Sequence, residues 1–218
     1  DHPFHGGILN NLANLYRAEG KHDKAIKTLR TVLKRDQRNV DAYKNLALVY
    51  FDQKKYTLTQ TILENARKMG EEQKRKDPDI WVNLGRVKLA QGDNGAAMVR
   101  FKKALEIDKM NIPANYNVGS LALQRRDYKR AADSFGVVQK TYPEDYRVAA
   151  NLGFAYQGMQ QLEPAIEQLE KARELTKKDG VQYAAASPPV SKTDLEEQMI
   201  LQLMIIKQGA EDNAGALK

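Results

Sequence analysis

The sequence predicts an all-α fold, a solenoid of five helix-turn-helix repeats closed by a further helix near the carboxy-terminal end. Two observations carry this. First, a triplet of asparagine, an aliphatic residue and a small residue returns at Asn11-Leu12-Ala13, Asn45-Leu46-Ala47, Asn83-Leu84-Gly85, Asn117-Val118-Gly119 and Asn151-Leu152-Gly153, at intervals of 34, 38, 34 and 34 residues. Second, each interval holds two apolar stripes at helical spacing, one around the triplet and one after it. A period of this length marks one supersecondary unit that cannot bury its apolar face alone and is stable only when stacked.

The first repeat is taken as residues 6–39. Its first helix presents Leu9, Leu12, Ala13 and Tyr16 as one stripe, and Gly20 ends it where a positive φ is easily adopted. A second stripe follows at Ala25, Leu29 and Val32, with Ala25 small enough for close helix approach. The remaining repeats are 40–77, 78–111, 112–145 and 146–179. Repeat two carries Tyr43, Leu46, Ala47, Tyr50, Leu63 and Ala66 at these places, and repeat three Trp81, Leu84, Gly85, Gly92, Ala97, Phe101 and Ala104. Repeat four follows with Val118, Gly119, Ala122, Ala131, Phe135 and Pro143, and repeat five with Leu152, Gly153, Tyr156, Ala165, Leu169 and Ala172.

This skeleton resembles the tetratricopeptide repeat family, and repeat three matches it best. The resemblance covers residues 6–179 and departs only locally: Thr59 stands for a small alanine, Lys88 for a tyrosine and Asn115 for the tryptophan. It implies a right-handed superhelical solenoid whose first helices line a concave groove. Repeat two is longer by four residues, within Lys68 to Lys76, about one helical turn. A lengthened second helix or a charged loop is expected there.

After Asp179 the pattern stops. Residues 180–192, with Pro188-Pro189, read as a linker that no helix crosses. Thr193-Asp194-Leu195-Glu196 is a capping box opening a helix over 193–208, with Leu195, Met199, Ile200, Leu203, Met204 and Ile206 as its apolar residues. This helix is expected to cover the open face of repeat five. Its apolar surface is broader than one stripe, so a homodimer through it is the alternative use. Residues 209–218 read as a flexible tail.

Composition narrows the function. The chain has 218 residues, a formal net charge of +7 and no cysteine, which excludes thiol nucleophiles and zinc–thiolate sites. The basic excess lies in repeat one, with eight basic against three acidic side chains, mostly on its outer helix. Without interleaved aromatics, this reads as a solvated face and not as a nucleic-acid site. No apolar run suffices for direct membrane insertion. Of the three histidines, His2 and His5 precede the first helix and His22 falls in a turn, so none is expected to be held near a second ligand or base, and no phosphate loop or metal-ligand cluster occurs. A non-enzymatic scaffold or adaptor with no cofactor, no metal and no catalytic residue is therefore expected.

Counting by three and four from the core stripes places Asn11, Asn14, Lys44, Asn45, Leu48, Phe51, Asn83, Arg86, Tyr116, Asn117, Arg147, Asn151 and Phe154 on the groove side. An asparagine amide both donates and accepts, so a column of five could hold an extended peptide backbone. The column resembles the asparagine ladder of tetratricopeptide superhelices, while asparagine bonded within its own hairpin is the other reading. The apolar members suggest pockets for the anchors of a partner peptide or helix. The lysine-and-asparagine set with which a family variant grips terminal carboxylates is absent from every window. A bacterial cell-envelope assembly (pilus, secretion or gliding machinery) is the setting favoured on the cysteine-free chain and the non-methionine start, with a cytoplasmic one as the alternative. The rival function is the substrate-recognition repeats of a larger enzyme, such as a glycosyltransferase.

Overall fold

A computed structural model describes residues 6–177 and 192–216 of the chain. These residues form eleven α-helices and no strand. The linker expected over 180–192, with its proline pair, lies outside the described residues except for Lys192. The helices fall into two compact units, Asp1–Asp108 and Lys109–Lys218.

The first unit holds three hairpins: α1 (Gly6–Ala18) with α2 (His22–Arg35), α3 (Val40–Asp52) with α4 (Tyr56–Glu72), and α5 (Pro78–Ala90) with α6 (Asn94–Ile107). The second unit holds α7 (Ile112–Gln124) with α8 (Tyr128–Thr141) and α9 (Tyr146–Gly158) with α10 (Leu162–Leu175), followed by α11 (Lys192–Ala216). In each unit the first helix of a hairpin packs on the hairpin before it. Ala42, Leu46 and Val49 of α3 meet Ala13, Ala25, Leu29 and Val32. Val148, Leu152 and Ala155 of α9 meet Ala131, Phe135 and Val138. First helices also touch one another, α1 with α3, α3 with α5 and α7 with α9. That makes the first-helix layer the tighter, inner one within each unit.

Local signals place the helix ends. Asn39, Asp77, Asn111 and Asp145 each cap a first helix, their side chains accepting from the backbone N–H of Ala42, Asp79, Ala114 and Arg147. The turn inside every hairpin carries one left-handed residue, at Gly20, Lys54, Gly92, Arg126 and Gln160, with φ from 59° to 79°. Gly20 therefore behaves as its sequence suggests, while three hairpins hold the same turn without glycine.

The extra residues of repeat two lengthen a helix: α4 has 17 residues where the other second helices have 14. The chain then reverses sharply, with Arg75 N–H donating to the Gly70 carbonyl at 2.8 Å and Lys74 at φ 56°. A Cβ on Gly70 would stand 3.1 Å from the Arg75 carbonyl oxygen, so glycine permits this close return.

Two expectations need correction. Trp81 is only partly buried, its ring flanked by the Arg67 and Arg100 guanidinium groups at 5.5 and 5.4 Å. The core under repeat three is filled instead by Phe101, Leu84 and Val87, whose size and fully apolar surface suit a closed site. The last helix runs from Lys192 to Ala216, past residue 208 where a flexible tail was expected. Residues 209–216 contain no proline to stop the helix, and three alanines among them offset Gly209 and Gly215. Through Leu195, Met199, Leu203 and Ile206 this helix covers Leu169, Ala172 and Leu175 of the last hairpin, which makes it a carboxy-terminal cap.

Candidate functional site

In the first unit the inner helices bring Asn83, Arg86, Phe51 and Arg17 together. The Arg86 guanidinium stands 4.9 Å from the centroid of the Phe51 ring, and its Nη1 donates to Asn83 Oδ1 at 3.2 Å. Arg17, one helix away, pairs loosely with Asp52 at 3.5 Å. Although Arg86 as a residue is exposed, protein atoms surround its guanidinium. That burial, with the like charge of Arg17 second, holds its pKa below the ordinary arginine value, and Asp52 opposes the shift. Asparagine 83 is 9% exposed, and Asn45 in the equivalent place is the same. Of the other expected residues, Asn11 is exposed, while Asn14 and Leu48 are half-buried.

Lys44 has a different role from the one its place on the groove suggested. Its ammonium lies 2.8 Å from Asp77, 3.5 Å from Asp41 and 3.8 Å from Asp79. Burial would lower its pKa, but the three carboxylates outweigh that and hold it above the ordinary lysine value. Arg75, delivered by the chain reversal after α4, donates to both oxygens of Asp41 at 2.9 and 2.8 Å. Two cations and three carboxylates of the repeat two–three junction thus form one charge network, and Lys44 is committed to structure.

In the second unit, Tyr116 and Asn117 are 4% and 2% exposed, far more closed than a groove position implies. The Tyr116 ring meets Phe135 edge-on at 5.5 Å, and Arg147 lies 5.9 Å from its centroid. Burial pushes the Tyr116 hydroxyl above its ordinary pKa, against the pull of the Arg147 charge. Asn117 Nδ2 donates to the Pro113 carbonyl of its own helix at 2.7 Å. The extra burial follows from α8 of the same hairpin and α9 of the next one both packing on α7, so only a narrow strip stays open. Asn151 and Phe154 are half-buried on that strip.

Beside them is a depression of about 400 Å³ lined by Leu123, Tyr128, Phe154, Gln157, Gly158, Gln198 and Gln202. Its lining joins Leu123, Tyr128 and Phe154 to three glutamine side chains. Gln157 Nε2 donates to Gln202 Oε1 at 2.6 Å, joining α9 to the cap helix. The cap thus contributes to the inner surface of its unit, which the sequence pattern did not foresee. Asp77, Asp145 and Arg75 were also missed as organisers of the surface. The aspartates share the repeat period with Asn39 and Asn111, a column legible in the sequence. Among the described residues no group of three or more His, Asp or Glu is placed to hold a metal ion, and no helix is long and apolar enough to cross a membrane.

Three family models match the chain. One described as "TPR repeat" covers residues 13–54, and two described as tetratricopeptide repeat cover 39–110 and 146–179. The BBSome complex member BBS4 of Bos taurus is 28% identical over 134 residues, 62% of this chain and 25% of that protein. Tetratricopeptide repeat protein 8 of Caenorhabditis elegans is 24% identical over 148 residues, 67% of this chain and 28% of that protein. The chain therefore spans about a quarter of the length of these relatives. Among solved structures, the Cut9 chain assembly titled APC/C hetero-tetramer Cut9-Hcn1 superposes with a TM-score of 0.70 at 19% identity, covering 91% of this chain and 37% of that one. YrrB, titled a TPR protein with an unusual peptide-binding site, gives 0.58 at 22% identity, covering 79% and 86%. With its hairpins, its packing columns and its repeat models in agreement, the chain belongs to the tetratricopeptide repeat family.

Proposed function

We propose that the protein is a scaffold that holds a peptide or helix of a partner protein against the inner faces of its first helices. The observation that carries this reading is Arg86: a cation stacked on a half-buried aromatic ring, with one hydrogen bond, to Asn83, and no carboxylate within ion-pair distance among the described residues. A cation so placed, beside the apolar Phe51, suits a partner segment that offers an acidic group next to an apolar one. The depression at Phe154 and Leu123, lined also by three glutamines, suits an apolar anchor with a polar group beside it. Binding of protein partners is the general property of this family, and YrrB is by its title a peptide binder. BBS4 is by its name a member of a complex. The proposal concerns the binding activity; the cell-envelope setting stays an expectation from the sequence.

The test is affinity capture with the whole chain and with Arg86→Ala and Phe154→Ala variants, using the outer-face change Lys68→Ala as control. A partner lost by the two inner-face variants and kept by the control supports the reading. A partner retained by both inner-face variants overturns it.

A second copy of the chain is the other protein this surface could meet. Ile200, Leu201, Met204 and Ile205 of α11 are exposed on the side away from α10, and such a stripe favours pairing through the cap helix. Light scattering that shows a dimer, converted to a monomer by Leu201→Glu with Ile205→Lys, supports this use. A monomer at every concentration excludes it.

A further inference from the structure

Two of the second helices each show a stripe of one charge sign to water. Helix α2 has five basic and one acidic side chain, and α10 has four acidic and two basic ones. On α2, Lys24, Lys27 and Lys34 share one face with Thr31, at i, i+3, i+10 and i+7, and Arg30 lies beside them. All four cations are exposed, and none makes an ion pair among the described residues. On α10, Glu163, Glu167, Glu170 and Glu174 stand at i, i+4, i+7 and i+11, all exposed. Glu163 and Glu167 make no ion pair among the described residues. Glu170 and Glu174 have only exposed ones, with Lys207 and Lys177, of the kind worth little in water.

Like charges three or four residues apart on a helix repel. The helix dipole accounts for Lys34 in the last turn of α2 and Glu163 in the first turn of α10. It does nothing for Lys27, Arg30, Glu167 and Glu170 in the middle turns. Helices α4 and α6 mix their signs instead, Arg67 pairing with Glu64 and Lys103 with Glu106. The two uncompensated stripes also match in length. Lys24 to Lys34 spans about 15 Å and Glu163 to Glu174 about 16 Å at the rise of an α-helix. Laid side by side and antiparallel, Lys24 falls level with Glu174, Lys27 with Glu170, Arg30 with Glu167 and Lys34 with Glu163. Each pair then agrees to within about 2 Å along the axis.

We infer that the outer face of α2 docks on the outer face of α10 of a second copy of this chain. The chain itself supplies the opposite charge at the matching spacing, which is what selects it as the partner. The faces are unlike, so the contact is heterologous, in contrast to pairing through the apolar residues of α11. Polar Thr31 lies among the cations, with no large apolar side chain on the stripe to act as an anchor. Association is therefore steered by charge, reversible and weakened by salt.

Sedimentation of the whole chain at about 50 mM salt should show association that weakens tenfold or more by about 500 mM, as screening shortens the reach of the charges. Lys27→Glu with Lys34→Glu reverses the stripe of α2, and Glu163→Lys with Glu167→Lys reverses that of α10. Each variant alone should associate roughly tenfold more weakly than the parent, or worse. Mixed in equal amounts, the two should associate again, because each meets in the other the opposite sign it has lost in itself. Neither misfolding nor pairing through α11 produces recovery on mixing. If a reversed variant fails to fold, Lys27→Gln with Lys34→Gln is compared with the parent over the same salt range, and its salt dependence should be smaller. A chain that is monomeric at low salt, reversed variants that associate no better mixed than apart, or a glutamine variant with unchanged salt dependence overturns the inference. So does a monomeric chain that binds phosphatidylserine vesicles through Lys27 and Lys34, because the face would then serve a membrane.

Discussion

Arg147 grips both oxygens of the buried Asp145 carboxylate, through Nε at 3.0 Å and Nη2 at 2.7 Å. The same carboxylate caps α9 by accepting from the Arg147 backbone N–H at 3.0 Å. Asp145 is 1% exposed, so it fixes the start of α9 and aims the Arg147 guanidinium at the Tyr116 ring. Replacing Asp145 by Ala should cost about 3–5 kcal/mol, the loss expected when one partner of a buried pair is removed, with the cap contributing part of it. Urea denaturation measures this. A loss below about 1 kcal/mol would mean that Asp145 is not an organiser of the second unit.

The small residue of each triplet gives a second prediction. A Cβ on Gly85 would lie 2.5–2.8 Å from three atoms of the Phe101 ring, which is fully buried. Gly85→Ala should therefore destabilise by about 1–3 kcal/mol despite alanine's better helix propensity. At Gly119 the equivalent contacts with Phe135 are 2.9–3.0 Å, and the same change should cost less. Chemical denaturation of the two variants side by side gives the order, and a reversed order would contradict the packing.

The junction of repeats two and three should register in acid. The hydrogen bond from Arg75 holds the Asp41 carboxyl below the ordinary carboxylate range, against burial and with help from the Lys44 charge. A pKa lowered in the folded state contributes stability that is present above the unfolded value, near 4, and is lost as pH falls through the folded value. Asp41→Asn should therefore be less stable than the parent at neutral pH, and the gap should close as pH drops below about 4. Thermal melts from pH 7 to pH 2.5 test the sign (roughly the range over which a carboxylate of this kind titrates).

The hairpin turns offer a stabilising change. Arg126 sits at φ 59°, a conformation costing a non-glycine residue about 1–2 kcal/mol, part of which glycine returns through its larger unfolded-state entropy. Arg126→Gly should raise stability by about 0.5–1 kcal/mol, whereas Arg125→Gly, at φ −92°, should not. Equal effects at both positions would show that backbone strain is not the cause.

Periodicity made the hairpins, their order and the packing columns legible, because stacking repeats one burial problem and selects one residue type at each place. The apolar and small members of the triplet and the stripe at Ala25, Leu29 and Val32 needed no coordinates to be read as core. What the sequence left open concerns side chains that answer to neighbours distant along the chain. Lys44 looked like a groove cation until Asp77, 33 residues away, and Asp79 joined Asp41 around it with compensating charge. Tyr116 and Asn117 looked open because counting along a helix locates a face but not the hairpin that will cover it. Gln202 joined the inner surface only because α11 folds back on α9 and α10. A periodic pattern encodes contacts that recur in every unit, and it determined the fold. Tertiary structure decided the polar surface, because contacts such as Lys44–Asp77 and Gln157–Gln202 are each made once, by side chains that the repeat does not copy.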